Sequence, residues 1–128
     1  VRAVVEEFCA GALAAGCVWV LRDADGYVCV RSGDAARDTM PFWSSRARAV
    51  TVTRRAPAER HLVPEPVDLE AFVARWLPGL GRDGTLVGVD WTGVRSGGAE
   101  HEPHELAEAL ARAPGRGTGA DGDGAQAR

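Results

Sequence analysis

Trp43-Ser44-Ser45-Arg46 is the stretch of this chain best equipped to hold an anion. Two serine hydroxyls, a guanidinium and the free backbone N–H groups of a helix start can together bind a phosphate or carboxylate, with Trp43 or Trp19 as a wall. A plainer role competes with this one. Either serine can cap the following helix, with aromatic bulk packed in front of it. The glycines of a phosphate loop are missing, which favours the cap.

The remaining candidates are weaker. His101-Glu-Pro-His104, preceded by Glu100, gathers metal-binding side chains in a short run, but it spans a loop and a proline-bearing helix start rather than a rigid frame. A solvated helix N-terminus, with Glu100, Glu102 and Glu105 near the positive end of the dipole, is the better reading, so no metal is expected. The serines lack a Gly-x-Ser-x-Gly elbow, and no cysteine is tied by spacing to a histidine. Asp83 and Asp90 read as a turn former and a strand-end polar residue rather than a paired acid. Asp23-Ala-Asp-Gly26 and Asp121-Gly-Asp123 echo a calcium loop without its bidentate Glu. No catalytic residue and no cofactor follow from these patterns.

The composition narrows the class further. All fifteen basic residues are Arg, and the chain has no Lys, Ile or Asn, which reads as the codon bias of a GC-rich bacterial genome. A net charge of -3 without a basic block argues against nucleic acid. Cys9, Cys17 and Cys29 are odd in number and contain no Cys-x-x-Cys pair, so reduced, cytoplasmic thiols are expected. No apolar run reaches the length of a membrane span, and no basic leader precedes the Val1 to Leu21 stretch.

These residues need a frame, and the periodicities supply one. Val1, Val4, Val5, Phe8, Cys9 and Ala12 form a helical stripe over residues 1 to about 14, stopped by Gly16. Residues 17–22 and 27–31 read as a hairpin around Asp23-Ala-Asp-Gly26. Residues 32–40 read as loop, and a helix is expected from the serine pair to about Arg54, though Val50 to Thr53 are β-branched. The three prolines of Ala56 to Val67 point to an edge strand or an extended loop there, with 61–65 as the candidate strand. Asp68 caps a helix striped by Leu69, Phe72, Val73, Trp76, Leu77 and Leu80, which Pro78 ends at Leu77 or bends. The clearest strand is 85–91: period two places Val87, Val89 and Trp91 on a core face, and Gly88 on the other face announces the close approach of a backbone or ligand. After a Gly-rich loop, Pro103 opens a last helix striped by Leu106, Ala109, Leu110 and Ala113.

The fold expected is therefore α+β: an antiparallel sheet of three to four strands packed by three to four helices. One domain covers residues 1–113, and residues 114–128 form a Gly-rich tail expected to be disordered.

The ordered set Cys17-Val-Trp-Val-Leu-Arg, Met40-Pro-Phe-Trp-Ser-Ser-Arg, Val67 to Leu80, Asp83 to Trp91 and Gly98 to Glu105 resembles a bacterial family called domain of unknown function 2750. The resemblance spans residues 1 to about 112. It implies the fold and no activity, and Ala49 to Arg55 departs from the more polar, aromatic helix expected of that family.

Without a catalytic constellation, and with a surplus of Trp and Arg, the leading expectation is a small non-catalytic binding or protein-interaction module. The alternative is a small-anion or phosphate sensor or enzyme using Trp43, Ser44, Ser45 and Arg46, with Trp19 beside them. Protein partner and small anion are the two ligand classes carried forward, and oligomeric state stays open.

Overall fold

The computed structural model describes residues 2–31, 37–94 and 97–114, with Arg2 as backbone alone. The tail beyond Pro114 and part of the 32–40 loop lie outside the described residues. Helix α1 (Arg2–Ala15) leads into strand β1 (Cys17–Asp23), followed by the short strands β2 (Gly26–Tyr27) and β3 (Val30–Arg31). Strand β4 (Asp38–Phe42), helix α2 (Arg46–Arg55) and strand β5 (Val63–Asp68) come next. Helix α3 runs through Leu69–Ala71, Phe72–Trp76 and Leu77–Asp83. Strands β6 (Leu86–Val89) and β7 (Glu100–His101) precede helix α4 (Pro103–Arg112).

The α+β class is borne out, with the strands arranged as two sheets in the orders β2-β1-β5 and β3-β4-β6-β7. Every pairing is antiparallel except β4 with β6, which is parallel from Thr39↔Leu86 to Phe42↔Val89. The sheets meet where Trp19 and Trp43 exchange backbone hydrogen bonds of 2.7 and 2.8 Å.

Strand β4 replaces part of the loop expected at 32–40. A proline argues against a central strand because it offers no N–H to a ladder. Here Pro41 sits in a gap in the pairing. Two residues on, Trp43 turns its N–H and C=O toward Trp19, so Pro41 faces that same side, beyond the β3 pairing that ends at Thr39. The sheet loses no hydrogen bond.

The proline argument for β5 holds, but the strand is displaced to 63–68 and pairs with β1 along its whole length, from Cys17↔Asp68 to Arg22↔Val63. Since Trp19 bonds away from β5, its opposite number Pro66 points its ring nitrogen at the open edge, and Pro64 lies in the same phase. The outer edge of β5 thus lacks donors where another strand would need them, which protects it from edge-to-edge pairing. The strand expected at 27–31 is interrupted at Val28-Cys29: Tyr27 pairs with Arg22 of β1, whereas Val30 pairs with Thr39 of β4.

Helix α3 does not stop at Leu77. It passes Pro78 and ends at Gly84, which takes the left-handed conformation at φ 74°. Proline removes one amide donor and crowds the carbonyl a turn earlier. The helix widens by a residue just before it, so that Leu77 N–H donates to Phe72 C=O in π-type spacing over Phe72–Trp76.

The apolar side chains fall on both faces of the joined sheets. On one face α1, α3 and α4 cover Val18, Val20, Phe42, Val87 and Val89 with Phe8, Phe72, Leu77, Leu106 and Leu110. Phe42 meets Phe72 and Trp76 edge-on at ring-centroid distances of 4.8 and 5.9 Å. On the other face Leu21, Trp43, Ala49, Val52, Leu62, Trp91 and Val94 form a second cluster beneath α2.

Trp91 belongs to that second cluster, which corrects the expectation that it shares a face with Val87 and Val89. The strand ends at Val89 because Asp90 adopts a positive φ of 51°, a conformation Asp tolerates better than most residues. This breaks the two-residue alternation. Trp91 folds back over the other face, where a Cβ at Gly88 would lie 2.4 Å from its ring and one at Gly98 would lie 2.5 Å away. What approaches Gly88 is the Trp91 indole, neither backbone nor ligand.

Candidate functional site

The strand-to-helix turn from Trp43 to Arg46 is held by Asp90, whose side chain is only 4% exposed. Ser44 donates its backbone N–H to Asp90 Oδ1 at 2.8 Å, and its hydroxyl lies 2.9 Å from Oδ2 and 3.1 Å from Oδ1. Asp90 N–H in turn donates to Phe42 C=O at 2.9 Å, continuing the β4–β6 ladder. The pair closes the ends of two parallel strands. The Asp90 side chain takes both donors of Ser44 at the turn that leads into α2.

The five residues singled out from the sequence are neighbours with separate roles. Trp43 is fully buried and donates Nε1–H to Trp91 C=O at 2.7 Å. Ser44 is buried against Asp90, whereas Ser45 accepts Arg48 N–H at 3.2 Å and is the N-cap of α2. Arg46 points to solvent, and Trp19 is half-buried at the edge of the second cluster. The Ser44 donors are thus directed at a carboxylate of the chain itself, and the Arg48 N–H at the Ser45 cap.

Thr51 and Arg55, beside them, were not singled out from the sequence. Arg48, Thr51 and Arg55 recur at three- and seven-residue spacing, hence on one face of α2, and with Val52, Asp90 and Trp91 they line a hollow of about 210 Å³. Arg48 Nε lies 3.9 Å from Asp90 Oδ2 with its side chain half-exposed, so only a loose contact restrains it. The spacing was legible in the helix. The contribution of Asp90, forty-six residues from Ser44, was not.

Charge is segregated around this hollow. Arg46, Arg48, Arg54 and Arg55 are all exposed on α2, Arg60 follows, and no acidic residue falls between Asp38 and Glu59. Glu59 is buried. Among the described residues, Arg46, Arg54 and Arg55 form no ion pair. The β-branched interior of α2 is accommodated locally: Thr51 and Thr53 hydroxyls donate to the carbonyls of Ala47 and Val50 at 2.8 and 2.7 Å.

The histidine run divides. His101 lies on β7 and His104 is exposed in the first turn of α4, while Glu102 accepts a forked pair of bonds from Arg37 at 2.7 and 3.0 Å. That guanidinium holds the Glu102 carboxyl below its ordinary value of 4.5. Glu100 accepts the Thr39 hydroxyl at 2.8 Å, tying β7 to β4. Among the described residues no group of three or more His, Cys, Asp or Glu side chains converges as metal ligands would. His101 Nε2 is buried with no hydrogen-bond partner. Cys9 is 1% exposed, and burial raises its thiol above the ordinary 9.0, so it behaves as a small apolar residue rather than a nucleophile. No described helix is long and apolar enough to cross a membrane.

A family model described as protein of unknown function (DUF2750) matches residues 5–110, which is most of the chain, and the chain belongs to that family. No curated protein matches it.

Proposed function

We propose that this member of the DUF2750 family is a small, non-catalytic protein-interaction module of the bacterial cytoplasm, and that the outer face of α2 engages an acidic segment of a protein partner. One observation carries the reading. A chain of net charge -3 presents Arg46, Arg48, Arg54 and Arg55 together on one short exposed helix without acidic neighbours in sequence. Uncompensated like charges repel, and an anionic surface relieves that repulsion while steering association. Arg48 and Arg55 border the hollow beside α2, and Asp90 already lies on its wall, so a partner carboxylate would meet the exposed guanidinium groups at its rim. Guanidinium favours planar, forked contact with such a group.

The small-anion alternative at Trp43, Ser44, Ser45 and Arg46 is less favoured, because Asp90 occupies the position an anion would take and Ser45 is committed to its cap. Three free cysteines and the arginine-only basic residues fit a reducing bacterial cytoplasm.

The test is isothermal titration with a synthetic Glu/Asp-rich peptide and, separately, with inorganic phosphate. Binding of the peptide that weakens steeply with salt and is lost in the triple variant Arg46→Glu, Arg54→Glu, Arg55→Glu supports the module. Equal binding by the triple variant refutes it. Phosphate heat in the wild type that is lost in Arg46→Gln or Ser44→Ala, without peptide binding, would restore the anion reading instead.

A further inference from the structure

A second surface, on the other side of the sheet from α2, has the opposite character. Helices α1 and α4 together line a groove of about 1100 Å³. Val5, Cys9 and Ala10 contribute its α1 wall, and Leu106, Ala109 and Ala113 its α4 wall. Each set follows helical spacing, so the groove is bounded by one apolar stripe from each helix. The rim is acidic. Glu6 stands on one side and Glu105 and Glu108 on the other, and Arg112 lies beside Glu108 at 3.9 Å. His101 borders the groove, and its Nε2 is the one buried side-chain nitrogen or oxygen without a hydrogen-bond partner among the described residues.

We infer that this groove docks a cationic amphipathic helix of a partner protein, independently of the α2 face. Alanines at positions 10, 109 and 113 leave the walls low enough for a third helix to approach to the usual packing distance of about 8–10 Å. Apolar residues spaced three and four apart on that helix would fill the floor, and Lys or Arg beside them would meet the three glutamates.

Two occupants from this chain are poorly suited. Residues 115–128 contain no large apolar side chain. The chain's own basic helix, α2, has Ala49 and Val52 buried in the second cluster, so a second copy cannot offer a helix that is both basic and apolar.

The experiment uses the full chain and a fluorescein-labelled synthetic peptide of about 18 residues, long enough to form a helix on a surface, with Leu at helical spacing and Lys elsewhere. Two controls are the same peptide with Glu for Lys and a scramble that disperses the Leu stripe. Anisotropy should show binding of the Lys peptide alone, weakened at least about tenfold by Ala109→Trp, which fills the groove, and comparably by Glu6→Arg with Glu108→Arg, which leaves the floor intact. Both charge-reversed positions are exposed, so the second variant keeps the test valid if Ala109→Trp disturbs the fold. Amide shifts on peptide addition should cluster at Val5, Ala10, Ala109 and Ala113. Equal binding of the scrambled peptide, indifference to both variants or shifts confined to α2 would overturn the inference. A concentration-dependent dimer that Ala109→Trp abolishes would also overturn it, by making the groove a contact between copies.

Discussion

Gly88 and Trp91 provide the sharpest test of the architecture, because a single methyl group is opposed there by a buried ring. A Cβ built on Gly88 would lie 2.4, 2.6 and 2.7 Å from Trp91 Cε2, Cζ2 and Nε1, far inside contact distance. The indole cannot simply slide away. It is 4% exposed, its Nε1–H donates to Ala99 C=O at 3.0 Å, and Gly98 packs so close to its five-membered ring that a Cβ there would lie 2.5 Å from Cδ1. Gly88→Ala should therefore cost about 1–3 kcal/mol, the range for overpacking a close-packed site. Trp91→Ala removes the ring and should cost about 3–5 kcal/mol. Once the ring is gone the added methyl has room, so the double variant should be no less stable than Trp91→Ala alone, giving a coupling of about 1–3 kcal/mol opposite in sign to the Gly88→Ala cost. Urea unfolding followed by far-ultraviolet circular dichroism, which does not depend on the deleted fluorophore, reads all four corners of the cycle. Strict additivity would refute the placement of Trp91 over Gly88. It would return the ring to the Val87 face that simple alternation assigns it.

Other positions give independent checks. Asp90→Ala strands the Ser44 N–H and hydroxyl and places alanine at φ 51°, so it should cost about 2–4 kcal/mol in urea, whereas Asp90→Asn, which tolerates that φ and can still accept from Ser44, should cost less. Ser45→Ala removes the α2 cap and should cost about 1 kcal/mol in the same assay; no loss would mean that Ser45 contributes little to the helix. The Glu102 carboxyl is held below 4.5 by Arg37, so its contribution is complete above that value and disappears as pH falls through the lower folded-state pKa. Urea midpoints of wild type and Glu102→Gln should accordingly differ at neutral pH and converge in acid. A gap that persists unchanged in acid would mean the Arg37 contact does not set the carboxyl.

How much of this could be read in advance depends on whether the deciding interaction is local. The α1, α3 and α4 stripes were legible because helical period and burial coincide at Phe8, Phe72, Leu80 and Leu106. The edge position of β5 was legible because proline chemistry is local. Strand β4 was not, since Pro41 is acceptable in a central strand only through a gap set by Trp19 and by β3, and neither adjoins it in sequence. Period two failed at Trp91 for a similar reason: one positive φ at Asp90 ends the alternation and turns Trp91 to the other face, and Asp90 is held there by Ser44 and Phe42. The Trp43 to Arg46 site was recognised as an assembly of donors. Its acceptor lies forty-six residues on in sequence, at the end of the neighbouring strand, and could not be.

That acceptor also governs which cations remain available. Asp90 lies at the turn that leads into α2, with Ser44 as its hydrogen-bond donor and Arg48 at 3.9 Å. The start of the helix is therefore answered internally, while the carboxyl-terminal half is not. Arg54 and Arg55 in the last turn sit favourably with the negative end of the dipole, which stabilises them without neutralising them. A helix built this way keeps its guanidinium groups outward at little cost to its own stability. The acidic surplus of the chain lies elsewhere, with Glu6, Glu105 and Glu108 at the opposed groove. The two surfaces proposed for partners of opposite charge lie on opposite faces of the joined sheets, so those partners need not compete. Reversing the charge of one should therefore leave the affinity of the other unchanged once salt has screened their long-range field, which at physiological ionic strength decays over about 8 Å.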